Sequence, residues 1–109
     1  MTAPVLLVLT TLPDAASAHT LASSLVTQRL AACVNVLAPA TSVYRWQGAI
    51  ETASEVPLLI KTPQANYPAL EKAIAAAHPY ELPEIVAVPV THGLPGYLDW
   101  VRTETTPDA

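Results

Sequence analysis

A long β-hairpin limits what this chain is able to fold into more than any other feature. The stretch from Ala40 to Thr62, ATSVYRWQGAIETASEVPLLIKT, holds an alternating run SVYRW, a turn signal at Gln47-Gly48 and a second apolar run, VPLLIKT. Strand side chains alternate between two faces and a glycine suits the turn, so the pattern specifies two antiparallel strands. Read as continuous from Val34 to Gln47, the first strand would measure about 46 Å at ~3.3 Å per residue. A compact chain of this size has a radius of gyration of ~13 Å and a diameter of roughly 34 Å. The hairpin is therefore expected to outreach its own domain, and a protruding ribbon with unpaired edges is stabilised by pairing with further copies of the chain. On this reading an aspartate at Val43 or at Ile60 costs assembly more than secondary structure.

Composition points the same way. Of 109 residues 51% are apolar and 13% charged, more apolar surface than one small monomer buries easily. A single domain over residues 1–109 is expected. The net charge of −4 and only five scattered Lys and Arg argue against a nucleic-acid partner. No apolar run approaches the ~20 residues of a membrane span. No Lys or Arg precedes Arg29, so the basic region of a secretory leader is not found, and the one cysteine, Cys33, permits no internal disulfide. A cytoplasmic location is the expectation.

Along the chain, Val5 to Thr11 (VLLVLTT) suits a buried strand. Asp14 is placed to cap a helix predicted over Ala15 to Leu30, whose apolar face is Ala18, Leu21, Ala22, Leu25 and Val26. A second strand begins near Cys33. After the hairpin, Asn66-Tyr67-Pro68 starts a helix that His78-Pro79 ends. Glu84 to Val90 (EIVAVPV) predicts a strand in which Pro89 demands an edge or a bulge. Tyr97, Leu98, Trp100 and Val101 predict a short final helix. The order is β-α-β-β-α-β plus a terminal helix, an α+β chain of the ferredoxin-like kind.

Five segments carry a resemblance: LAACVNV (Leu30–Val36), TSVYRWQG (Thr41–Gly48), SEVPLLIKT (Ser54–Thr62), HPYELPEI (His78–Ile85) and GYLDW (Gly96–Trp100). In this order they resemble the CutA-type divalent-cation tolerance proteins across nearly the whole chain. The resemblance implies a cytoplasmic homotrimer of ferredoxin-like subunits, similar in shape to the PII signalling proteins, linked to copper and other divalent metals and without enzymatic activity. It also implies where copper would sit. The family's described ligands, a cysteine and two adjacent histidines, fall on Thr10, Ala77 and His78 of this chain. Only His78 remains as a metal ligand, so copper or another divalent cation is expected to bind weakly.

The residues themselves offer three groups to weigh. His78, Tyr80, Glu81 and Glu84 lie between Pro79 and Pro83 or beside them, and imidazole plus carboxylate suits a borderline divalent ion. Without a second histidine or cysteine at ligand spacing, the segment also reads as a helix-to-strand connector that lines a pocket. Tyr44, Trp46, Lys61 and Trp100 form a second group, packing residues or the wall of a cleft. Lys61 in an apolar strand needs a partner, for which Glu84 is the expected acid. Cys33, among apolar sequence neighbours, reads as an inert core thiol. His19 and His92 read as solvated or capping residues.

Three function classes follow. The first is a metal-homeostasis binding or regulatory protein. The second is a PII-like small-molecule sensor with clefts between subunits, although three glycines leave no phosphate-binding loop. An enzyme using His78, Lys61 and Glu84 comes last, because no nucleophile or paired-carboxylate spacing supports it.

Overall fold

The computed structural model describes residues 4–107. Strand β1 (Val5–Leu12) leads into helix α1 (Ala15–Thr27), then β2 (Cys33–Val36), β3 (Ala40–Trp46) and the long β4 (Ala49–Pro63). A single 3-10 turn (Gln64–Asn66) precedes α2 (Tyr67–Ala77), followed by β5 (Ile85–Pro89) and α3 (Pro95–Glu104). The sheet is antiparallel in the order β2-β4-β1-β5, and β3 lies against the outer half of β4. The ferredoxin-like α+β fold is therefore present, with three departures in detail from the sequence reading.

The strand expected to run unbroken from Val34 to Gln47 is two strands, interrupted at residues 37–39. Pro39 has no N–H for a ladder and holds Ala38 away from helical geometry, so pairing lapses there, although Leu37 still donates its N–H to the Pro57 carbonyl at 3.0 Å. The unbroken strand is β4, whose inner half pairs with β1 and β2 and whose outer half forms the ribbon with β3. The molecule extends 47 Å along its longest axis against 27 and 23 Å across, so the ribbon does project. At its tip Gln47 and Gly48 both have positive φ (49° and 83°), the two-residue turn whose twist matches that of the strands.

Helix α1 starts where expected: the Asp14 carboxylate accepts from the Ser17 N–H at 2.7 Å. It stops at Thr27, earlier than Leu30, because Arg29 adopts a left-handed conformation (φ 59°) and Leu30 N–H turns back to the Leu25 carbonyl. Strand β5 is shorter than its sequence run and carries Pro89 at its end, on the sheet edge where a missing donor costs no ladder bond.

The two faces of the sheet differ. Val8, Leu12, Val56, Leu58 and Ile60 point at α1 and α2 and form the main core with Leu25, Leu70 and Ile74. On the other face α3 covers one end only, packing Val101 on Val5 and Ala32. Leu7, Leu9, Leu59, Val86 and Val88 share that second face by register and remain partly or well exposed. Ile60, expected at an interface between copies, is instead a fully buried residue of the subunit's own core.

Candidate functional site

The cleft beneath the hairpin is built by strand register. Ala40, Ser42, Tyr44 and Trp46 lie on the same face of the ribbon as Glu55, since Ala40 pairs with Glu55 and Tyr44 with Glu51. Thr11, opposite Pro57, continues that face onto β1. The segment after α2, stiffened by Pro79 and Pro83, folds over as the far wall. These parts enclose about 1050 Å³, lined among others by Tyr44, Trp46, Glu55, Tyr80 and Glu84.

Glu55 is the anchor of this cleft. Its side chain sits in a residue only 8% exposed, where it accepts from the Thr11 hydroxyl at 3.1 Å and from the Tyr80 phenol. Nothing in the one-dimensional pattern singled it out, although it is the second residue of the SEVPLLIKT run, on the parity opposite to Val56 and Leu58. A carboxylate held by two hydroxyl donors keeps its charge at a defined place.

Tyr80 records the cost of that arrangement. Burial, then the hydrogen bond and charge of Glu55, push its phenol from an ordinary 10 up to about 12. A raised folded-state value favours the neutral phenol in the fold, so this contribution is complete below pH 10 and disappears as pH climbs from 10 to about 12. In an ultraviolet phenolate titration, Tyr80→Phe is expected to remove the component near pH 12 and to flatten the loss of stability across that window. A variant titration identical to that of the unaltered protein would place Tyr80 outside the Glu55 bond.

His78 does not line the cleft but holds Thr11 and Tyr80, which do. It is buried, its Nδ1 accepts from the Tyr80 N–H at 3.1 Å, and its Nε2 lies 2.6 Å from the Thr11 carbonyl. An accepting Nδ1 leaves the proton on Nε2, which donates to Thr11. Both ring nitrogens are thus committed. The other two positions the resemblance pointed to add no ligand: the Thr10 hydroxyl is buried towards the helices without a partner among the described residues, and the Ala77 side chain has no donor atom. No group of three or more His, Cys, Asp or Glu side chains among the described residues is arranged to hold a metal ion, so this donor set does not fit a resident divalent cation.

Of the six residues expected in one cleft, Tyr44, Trp46, Tyr80 and Glu84 line it together; Lys61 and Trp100 do not. Lys61 pairs in register with Leu7 and Cys33, while Glu84 precedes Ile85, which pairs with Thr10 on the far side of β1. The expected Lys61–Glu84 pair is absent: Lys61 donates to Asn35 Oδ1 and lies 4.0 Å from Cys33 Sγ. Cys33 is accordingly half-buried beside a lysine, not sealed in the core; cross-strand neighbours do not show in a linear reading. Trp100 stacks near Tyr97 (centroids 5.6 Å apart) and lines a separate hollow of about 310 Å³ with Arg29 and Glu104. His19 and His92 are exposed, as expected.

Residues 6–104 match the family described as CutA1 divalent ion tolerance protein. The chain is 48% identical over 98 residues to the divalent-cation tolerance protein CutA of Thermus thermophilus, covering 90% of this chain and 95% of that one. It is 45% identical over 101 residues to human Protein CutA, covering 91% of this chain but 56% of the human protein, so it spans little more than half of that relative. The crystal structure of CutA from Xylella fastidiosa superposes with a TM-score of 0.91 at 50% identity, over 94% of this chain and 98% of that one.

Proposed function

The chain belongs to the CutA1 divalent ion tolerance family, and from that premise we propose that it serves tolerance of divalent cations, copper among them, as a homotrimeric binding or regulatory protein of the cytoplasm and not as an enzyme. The observation that carries this reading is the family match over residues 6–104. The uncovered apolar side of the sheet supports self-association, because a strip containing Leu7, Leu59 and Val88 is more stable against another copy than against water.

No bound ion enters this reading as a fixed part of the subunit. To ligate copper, His78 would give up its bond to Thr11 or to the Tyr80 N–H, and a lone imidazole holds a divalent ion poorly in water. Titration calorimetry of the untagged protein is expected to return copper(II) affinity no tighter than about micromolar, lost in His78→Ala. The biological test is growth of a copper-sensitive strain lacking its own relative. Expression of this chain is expected to restore growth in graded copper(II), and unchanged sensitivity despite soluble expression would reject the proposal.

A further inference from the structure

We propose that copies of this chain associate head to tail on the uncovered face of the sheet, with Lys61 of one copy entering the acid-lined cleft of the next and pairing with Glu84. The inference rests on the homotrimer reading and goes beyond it by naming the polar contact that sets one copy on another. The face has two unlike ends. At one lies the cleft, lined by Glu55, Glu81 and Glu84 and by no Lys, Arg or His among the described residues. At the other stands Lys61, the one cation among the described residues that register places with Leu7, Leu9, Leu59, Val86 and Val88.

Within the subunit the Lys61 ammonium meets Asn35 Oδ1 and Cys33 Sγ, neither of them a carboxylate, and no ion pair to Lys61 or to Glu84 is present among the described residues. The two do not reach each other inside one subunit. Lys61 lies level with Leu7, whereas Glu84 precedes Ile85, which pairs with Thr10, so about four strand positions, or ~13 Å, part them before the width of β1 is counted. Glu55 is held by Thr11 and Tyr80 at the base of the cleft, which leaves Glu84, exposed on its wall, to take an ammonium. Sealing this face between copies with both charges unpaired is costly. A neighbour offset along the strands, its Lys61 over Glu84, gives each charge its opposite and still covers the apolar strip between them. Setting like ends together places ammonium against ammonium and acid against acid, so charge selects the offset arrangement and opposes the matched one. A homotrimer requires contacts between unlike ends, since a two-fold contact joins copies only in pairs.

Sedimentation of charge-swapped full chains tests the pairing. Lys61→Glu and Glu84→Lys are each expected to raise the concentration at which the assembly dissociates about tenfold or more, and the double variant to return it to within about threefold of the unaltered chain. Equal amounts of the two single variants, mixed, are expected to assemble better than either alone, because contacts between unlike variants are matched. Lys72→Glu, on the exposed surface of α2, changes the net charge as much as Lys61→Glu and is expected to leave association unaltered. Circular dichroism establishes that each variant is folded. Lys61→Met and Glu84→Gln, which lose only the charge, are expected to weaken association in the same direction and serve where a swap does not fold. The pairing is overturned if these changes leave association as it was, if the two losses simply add in the double variant, or if Lys72→Glu weakens association as much. An unaltered protein that sediments as single subunits overturns the homotrimer reading too and leaves the face to another occupant, whereas an assembly indifferent to the swaps overturns the pairing alone.

Discussion

Ile60→Asp is expected to abolish the folded subunit, not to loosen an assembly of folded subunits. Ile60 is 0% exposed on the helix-facing side of β4, in register with Val8 on β1 and Val34 on β2, and belongs to the cluster that includes Leu25, Leu70 and Ile74. Truncating such a side chain costs roughly 2–5 kcal/mol, and an unpaired carboxylate in its place adds several more. A domain's whole stability is about 5–15 kcal/mol, so the sum reaches or exceeds what is available. Thermal melting followed by circular dichroism should show no cooperative transition. Ile60→Val, losing one methylene, should cost only about 0.5–1.5 kcal/mol and melt cooperatively. A soluble Ile60→Asp protein with a native-like melt but altered sedimentation would return Ile60 to an interface between copies.

Val88→Asp is expected to do the reverse. Val88 lies opposite Leu7 on the face that α1 and α2 leave uncovered and is 54% exposed in the isolated subunit, so an aspartate there meets water and leaves the core untouched. In a homotrimer built on that face, the same carboxylate would be buried at each contact without a partner. A loss of even ~2.7 kcal/mol at such a contact weakens association about a hundredfold. Sedimentation at micromolar concentration should shift from the assembled protein to the 11.5 kDa subunit while the far-ultraviolet spectrum is retained. An assembly unaltered by Val88→Asp would move the interface elsewhere, and an unaltered protein that already sediments at 11.5 kDa would remove the trimer proposal altogether.

These two substitutions also mark how far the linear chain could be read. Both residues lie in apolar runs, VPLLIKT and EIVAVPV, and only Ile60 was expected at an interface; their opposite fates follow from which side of one sheet each occupies. Elements whose signals are local were legible. The Asp14 cap, the Gln47-Gly48 turn, the end of α2 before Pro79 and the edge position of Pro89 each depend on a backbone constraint acting within a few residues. The five motifs carried the family, and the runs either side of Gln47-Gly48 marked the ribbon, although its long strand is β4 and not the expected Val34–Gln47. Alternation placed Tyr44 and Trp46 on one face and the prolines bounded the segment of Tyr80 and Glu84, but only the folded chain brings the two groups to one cavity.

What the tertiary structure alone decided is the set of neighbours across strands. Glu55 becomes the buried anchor of the cleft only because β1 brings Thr11 beside it and the segment after α2 brings Tyr80 over it. Lys61 meets Asn35 and Cys33 instead of Glu84, and Trp100 leaves the cleft for the far end of the sheet. His78 spends both ring nitrogens on backbone groups, one of them 67 positions away in the chain. Periodicity and capping are energies of a few adjacent residues, so the sequence by itself determines the elements and the family they compose. Register between strands is set by packing of the whole core, and a shift of one residue exchanges the two faces of a strand, so the partners of each polar group became known only with the assembled sheet.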